Sequence, residues 1–377
     1  MKQFYSVVLI LFCAFSILAQ DTETELKPYS FEIDYYHGTI LEHNPDIAHL
    51  ITDHPVGFSL AYNRKTYGFN EWERHYDYPD WGFTFIYQDM KNEYLGKNYS
   101  VYGHYNWYFF NRNLMVRVAQ GIAYATNPYD AETNYINNAY GTHVLSTTFL
   151  KVNYVKENLW KGLGFHAGFS IIHYSNANVR APNNSTNTWA FNAGVNYLFD
   201  YEKFPEYIPL EVIENDDPEA RSPFREKWNY NVAFRFGLNE SDEINHGQFP
   251  FYVVSAYASR RLNYKSTITY GVDMFFAKFL EEEIYFRSVA YPDQGLSGDE
   301  DWKRVGIFFG HELRFNRVAF VSQIGYYVYW PYEFENRIYN RLGLKRYFFD
   351  DKFFASITVK AHWAKAEGAE FGIGYRL

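Results

Sequence analysis

From Leu163 to Ile171 the odd positions of this chain read Leu163, Phe165, Ala167, Phe169 and Ile171, and the even ones read Gly164, His166, Gly168 and Ser170. The same beat of two runs through Trp189, Phe191, Ala193, Val195, Tyr197 and Phe199. It returns in Trp228, Tyr230, Val232, Phe234, Phe236 and Leu238, and in Phe353, Ala355, Ile357, Val359, Ala361 and Trp363. Alternation of this kind puts successive side chains on opposite faces of an extended strand, so each segment has one oily face. The segments run for about 10 to 12 residues, close to the length a tilted strand needs to cross the hydrocarbon of a bilayer. Aromatic residues, 21% of the chain, gather at segment ends: Trp107 to Phe110 at one, Tyr326, Tyr327, Tyr329 and Trp330 at another. Such clusters are what the interface girdles of a membrane barrel look like. Beyond the first 19 residues no apolar run reaches the roughly 18 residues of a membrane-spanning helix. Closure into a barrel also leaves no backbone N–H or C=O unpaired in lipid. The expected fold class is therefore all-β, an antiparallel transmembrane outer-membrane β-barrel.

The alternation predicts strands near 29–37, 56–65, 81–89, 99–110, 114–124, 143–155, 160–174 and 188–199. A second set follows near 227–239, 248–260, 264–278, 303–315, 317–330, 339–347, 352–364 and 369–377. That gives about 14–16 strands, even-numbered as expected for a single-chain bacterial barrel. The last of them carries Phe371, Ile373, Tyr375 and Leu377 on one face, as a terminal barrel strand does. The acidic, Pro-containing stretch 200–226 reads as a connector, with a short helical turn around 208–215. One large barrel over 28–377 is the first expectation. The alternative is an eight-stranded barrel over 28–199 followed by a second β unit over 227–377.

Residues 1–19, with Lys2 ahead of an apolar run from Val7 to Leu18 and Ala19 at the end, have the form of a secretory signal peptide. Residues 20–27 would then be a short N-terminal segment. The single cysteine, Cys13, falls inside the signal region, so no disulfide or thiolate metal site is expected in the rest. Forty-four acidic against 35 basic residues give a net charge of −9, with no basic cluster. Nucleic acid is excluded as a partner on that balance.

One oily face ends unexpectedly. Continuing the odd phase from Ile171 brings in His173 and Ser175. Residues i and i+2 on a strand project the same way, with Cα atoms about 6.5–7 Å apart. Asn187, just before Trp189, shares the outward phase of the next strand. A histidine beside a serine is the arrangement of a general base and a nucleophile, and a third group on the imidazole would orient it.

The surrounding stretch, "HYSNANVRAPNNSTN" over 173–187, resembles the signature of the PagL family of lipid A 3-O-deacylases, matching at His173, Ser175, Asn176, Ala177, Pro182 and Asn183. The resemblance implies an outer-membrane barrel with a serine esterase site on its exterior wall. It implies Ser175 as nucleophile, His173 as base and Asn176 as oxyanion donor, with lipid A of lipopolysaccharide as substrate and no cofactor or metal. The family's acidic third residue aligns with Asn187. Outer-membrane phospholipase A, which is similar in this pattern, has an asparagine in that role. Asn178, Asn183 and Asn184 are rivals for the third place, and Arg180 is a candidate partner for a lipid A phosphate. The alternatives carried alongside are a phospholipase with a Ser-His-Asn triad and a non-catalytic channel or structural barrel; a homodimer is left open. His43, His49 and His54, and the acidic runs at 281–283 and 299–301, are expected to be solvated loop residues.

Overall fold

The structure is a computed structural model that describes residues 28–210, 227–241, 243–244 and 246–377. The expected signal peptide lies outside the described residues, as does most of the expected turn at 208–215. Among the described residues sixteen antiparallel strands account for the fold. The first eight are β1 (Tyr29–Ile40), β2 (Val56–Arg64), β3 (Asp80–Asp89), β4 (Lys97–Phe109), β5 (Leu114–Ala125), β6 (Val144–Trp160), β7 (Leu163–Ser175) and β8 (Thr186–Leu198). The second eight are β9 (Asn229–Asn239), β10 (Phe249–Arg261), β11 (Ser266–Ala277), β12 (Arg304–Phe315), β13 (Val318–Tyr329), β14 (Ile338–Phe348), β15 (Phe353–His362) and β16 (Lys365–Arg376). Among the described residues no helix is long and apolar enough to cross a membrane.

The expectation of one large barrel is corrected. β8 pairs back onto β1, with Ile33 opposite Val195, and β16 pairs back onto β9, with Ile373 opposite Phe234. The chain thus closes into two barrels of eight strands each, the arrangement held as the alternative. Alternation reports which face a residue takes but is silent about which strand a neighbour is. Sixteen strands in one ring and two rings of eight have the same sequence pattern.

In both barrels the oily phase points out and the polar phase points in. Phe31, Ile33 and Tyr35 of β1 are exposed, while Glu32 and Asp34 between them are buried. An eight-stranded barrel is just wide enough for its side chains to fill it. In the first, Arg117 donates to Glu32 at 2.9 Å and to Asn106 at 2.7 Å, and Lys151 holds Asp34 at 2.8 Å. In the second, Arg341 bridges Asp273 at 2.8 Å and Glu370, and Arg304 grips Glu367 at 2.6 and 3.0 Å. Charges this deeply buried persist only when paired and hydrogen-bonded, and removing one partner of such a pair costs about 3–5 kcal/mol. A cavity lined by Phe251, Phe275, Lys360 and Glu367 has about 10 Å³ of room. That is about enough for one water molecule.

The connections sort by rim. In the first barrel 41–55, 90–96, 126–143 and 176–185 lie at one end, and the turns 110–113 and 161–162 lie at the other, beside the start of β1. The barrels touch at both ends. At the end where β1 begins, Tyr76 donates to the carbonyl of Arg314 at 2.7 Å and stacks on Phe315 at 4.4 Å, while His75 stacks on Tyr264 at 3.9 Å. At the opposite end the 176–185 loop meets Glu240 and Gln248 of the second barrel.

Candidate active site

β7 carries His173 and Ser175 out on its odd face, and β8 brings Asn187 directly opposite His173 in register. The oily row of these strands ends just below: Phe169 stacks on Trp189 at 5.5 Å, and both are about half exposed. Across β6 the outward residues opposite the pair are also polar. Thr148 faces His173 and Ser146 faces Ser175, and both hydrogen-bond to Gln120 of β5. The apolar band of the wall therefore ends in a polar belt at the rim, and the histidine and serine lie in that belt.

Asn187 Oδ1 lies 2.8 Å from His173 Nδ1. An amide oxygen only accepts, so the ring nitrogen donates, and a neutral imidazole then keeps its lone pair on Nε2. Ser175 is turned elsewhere. Its hydroxyl donates to Asn183 Oδ1 at 3.1 Å and accepts the backbone N–H of Ala177 at 3.0 Å. No hydrogen bond joins His173 to Ser175. The two share a face, and the Ser175 Oγ proton is directed to Asn183 rather than to the imidazole. Catalytic hydrogen bonds that are open without substrate and form in the bound complex are common.

The loop from Asn176 to Ser185 is folded over Ser175, which is only 6% exposed. Ala177 and Asn178 turn it through left-handed backbone at φ 53° and 58°. Asn183 Oδ1 also accepts the backbone N–H of Asn176 at 2.9 Å, and the Asn176 amide donates to the carbonyl of Arg180 at 2.6 Å. Arg180 itself is exposed. The loop is braced from three sides. Asn184 and Ser185 donate backbone N–H groups to Asn138 and Ala139 of the 126–143 loop. His43 Nε2 lies 3.2 Å from the Asn184 carbonyl and from Ser185 Oγ. The third brace comes from the second barrel, through Glu240 and Gln248.

Asn178, Asn183 and Asn184, the rivals for the place beside His173, have other partners: Glu240, the Ser175 and Asn176 pair, and Asn44 respectively. His43, His49 and His54 do not converge. His49 contacts the Ile136 carbonyl at 2.9 Å and His54 the Gly38 carbonyl at 3.1 Å. A different cluster, Glu32, Asp34 and His166, spread over strands distant in sequence, brings its ligating atoms close enough together for a metal. Lys151 and Arg117 already fill the space between these carboxylates, and His166 Nε2 is 2.6 Å from Asp34, so internal cations balance the charge. Glu240 was invisible in the sequence, because it lies in the acidic string "NESDE", which has the composition of a solvated loop.

Comparison with known proteins adds identity to this geometry. The profile described as "Lipid A 3-O-deacylase (PagL)" matches residues 56–196, and "Acyloxyacyl hydrolase, C-terminal domain" matches residues 228–377. No curated protein sequence matches the chain. Among solved structures, a Rhodopseudomonas blastica porin variant shares 10% identity over 93% of this chain and 99% of its own, at a TM-score of 0.18. Acinetobacter baumannii OccAB3 shares 10% identity over 93% and 98%, at a TM-score of 0.22. Scores this low mean the overall shapes do not superpose.

Barrel fold and profile matches together define a β-barrel ester hydrolase. More narrowly, the chain belongs to the PagL family of lipid A 3-O-deacylases, its second barrel being the acyloxyacyl hydrolase C-terminal domain.

Proposed function

We propose that the protein is an outer-membrane esterase that removes an ester-linked acyl chain from lipid A, with Ser175 as nucleophile, His173 as general base and Asn187 as the group that orients the base. The observation that carries this reading is the outward-facing His173–Asn187 pair, 2.8 Å apart, with His173 two residues before Ser175 on the same strand face, at the top of an oily wall. A lipid A ester sits at the boundary of headgroup and acyl chain, where this polar belt meets the apolar band. The acyl chain would lie along Phe169 and Trp189 while the headgroup stays at the rim beside Arg180, whose guanidinium suits a phosphate.

In the reaction Ser175 Oγ turns from Asn183 and attacks the ester carbonyl carbon as its proton passes to His173 Nε2. The imidazolium that forms is held by Asn187 Oδ1. The backbone N–H of Ala177, released as Oγ turns, takes the developing oxyanion, joined by the Asn176 N–H once it leaves Asn183 Oδ1 and by the Asn176 amide once it leaves the Arg180 carbonyl. Collapse of the tetrahedral species breaks the acyl C–O bond, and the departing lipid A hydroxyl collects the proton from His173. Water then attacks the acyl-serine, giving its proton to His173. The fatty acid leaves and Ser175 Oγ recovers a proton.

Incubation of the detergent-purified protein with lipopolysaccharide, followed by mass spectrometry of lipid A, tests this. The expected result is loss of one acyl chain, with Ser175→Ala and His173→Ala each slower by at least about 100-fold while the barrels stay folded. Full activity in both variants removes the assignment. Release of fatty acid from phospholipid with lipid A untouched would make it a phospholipase.

A further inference from the structure

The loop over Ser175 is anchored by the other barrel. Glu240, the first residue after β9, is 2% exposed, and its carboxylate spans two backbone segments. Oε2 accepts the N–H of Ala181 at 2.9 Å, and Oε1 accepts the N–H of Gly247 at 2.9 Å. The backbone of Glu240 exchanges two further bonds with Asn178: its N–H donates to the Asn178 carbonyl at 3.2 Å, and its carbonyl accepts from Asn178 Nδ2 at 3.0 Å. Gln248 Nε2 adds a bond to the carbonyl of Val179 at 2.8 Å.

Four barrel-to-barrel hydrogen bonds thus fall on residues 178, 179 and 181, between Asn176 and Asn183. Asn183 and the backbone N–H of Ala177 make the hydrogen bonds of Ser175 Oγ, and Asn176 is tied to the same Asn183 oxygen. Among the described residues Glu240 meets no cationic side chain, so backbone N–H groups take the full charge-assisted bonds. A buried carboxylate costs much to desolvate unless it is hydrogen-bonded. It is used here at a junction where it fixes the shape of a loop with left-handed backbone at Ala177 and Asn178.

We propose that the second barrel completes the esterase site of the first, with Glu240 as the positioning residue that sets the 176–185 loop, and hence Asn176 and Asn183, around Ser175. The proposal rests on Ser175 being the nucleophile. It gives the C-terminal domain a role in the chemistry: the loop has its catalytic geometry only while Glu240 and Gln248 are docked on it.

The test uses the full chain in detergent with three substitutions, Glu240→Ala, Glu240→Gln and Gln248→Ala. Lipid A deacylation gives kcat and KM, and hydrogen exchange with mass spectrometry reports on the peptide covering 176–185. Glu240→Ala is expected to lower kcat by about 10- to 100-fold with KM nearly unchanged, because a misplaced loop affects the reacting geometry more than lipid binding. The 176–185 amides should exchange faster while the strand amides stay protected. Glu240→Gln keeps one accepting oxygen and should fall between. Gln248→Ala, at an exposed position, should show the same two changes more weakly and stands in if the Glu240 variants do not fold. Wild-type kcat together with wild-type loop protection in Glu240→Ala overturns the proposal while leaving Ser175 in place. If Ser175→Ala retains activity, the esterase assignment is what has failed, and unchanged loop exchange in Glu240→Ala would then separately dispose of the clamp.

Discussion

His173 and Ser175 share a face because they are two apart on a strand, and that much parity alone dictates. What parity does not dictate is whom they touch. Asn187 was legible as the partner of His173 because it too lies on a strand, in register across β7 and β8. The partner of Ser175 was not legible, because it comes from a loop whose left-handed turns at Ala177 and Asn178 break any periodic reading. Asn183 Oδ1 holds both the serine hydroxyl and the Asn176 N–H, so it sets the resting direction of that hydroxyl. Two substitutions separate the asparagines. Asn187→Ala removes the acceptor that fixes the imidazole tautomer and should cut kcat by about tenfold or more, whereas Asn187→Asp restores a negative charge beside the forming imidazolium and should keep or raise it. Deacylation rates of the two variants side by side check this; equal rates would move the orienting role to another group.

At the scale of elements, the strand boundaries were readable to within a few residues because the outward phase is apolar almost without interruption. The loops were not, since their form depends on contacts between distant segments. Gly141 is an example. A Cβ there would lie 2.5 Å from the Arg180 carbonyl and 2.7 Å from that of Ala181, so the 126–143 loop can brace the site loop only through a glycine. Gly141→Val should push the two loops apart at a cost of about 1–3 kcal/mol and slow deacylation, while the strand content seen by circular dichroism stays constant. The strand interiors carry a different dependence. Lys151 lies within 2.9 Å of both Asp34 carboxylate oxygens, and Asp34 also contacts His166. Lys151→Ala leaves Asp34 short of its main countercharge and should lower stability by about 3–5 kcal/mol, read as a fall in the temperature at which the barrel loses its compact gel mobility. Lys151→Arg keeps the charge and should lose much less.

For the whole molecule, the strand number was legible and the closure was not. The 200–226 break was visible as the longest interruption, and only the pairing of β8 with β1 and of β16 with β9 shows that it separates two rings. The division has a physical consequence. One ring of sixteen strands encloses a water-filled lumen, whereas a ring of eight is closed by its own side chains. In this protein Arg117 and Lys151 fill one ring, and Arg304, Arg341 and Lys360 fill the other, each fully or almost fully buried and each beside a carboxylate. An ion crossing either barrel would have to part these pairs, and opening one buried pair already costs about 3–5 kcal/mol. The purified chain in a planar bilayer should therefore show no stepwise conductance at moderate voltage, in the same preparation that deacylates lipid A. Reproducible open steps of porin size would mean that the barrel interiors are not packed as described, and a transport role would then have to be considered for one of the rings.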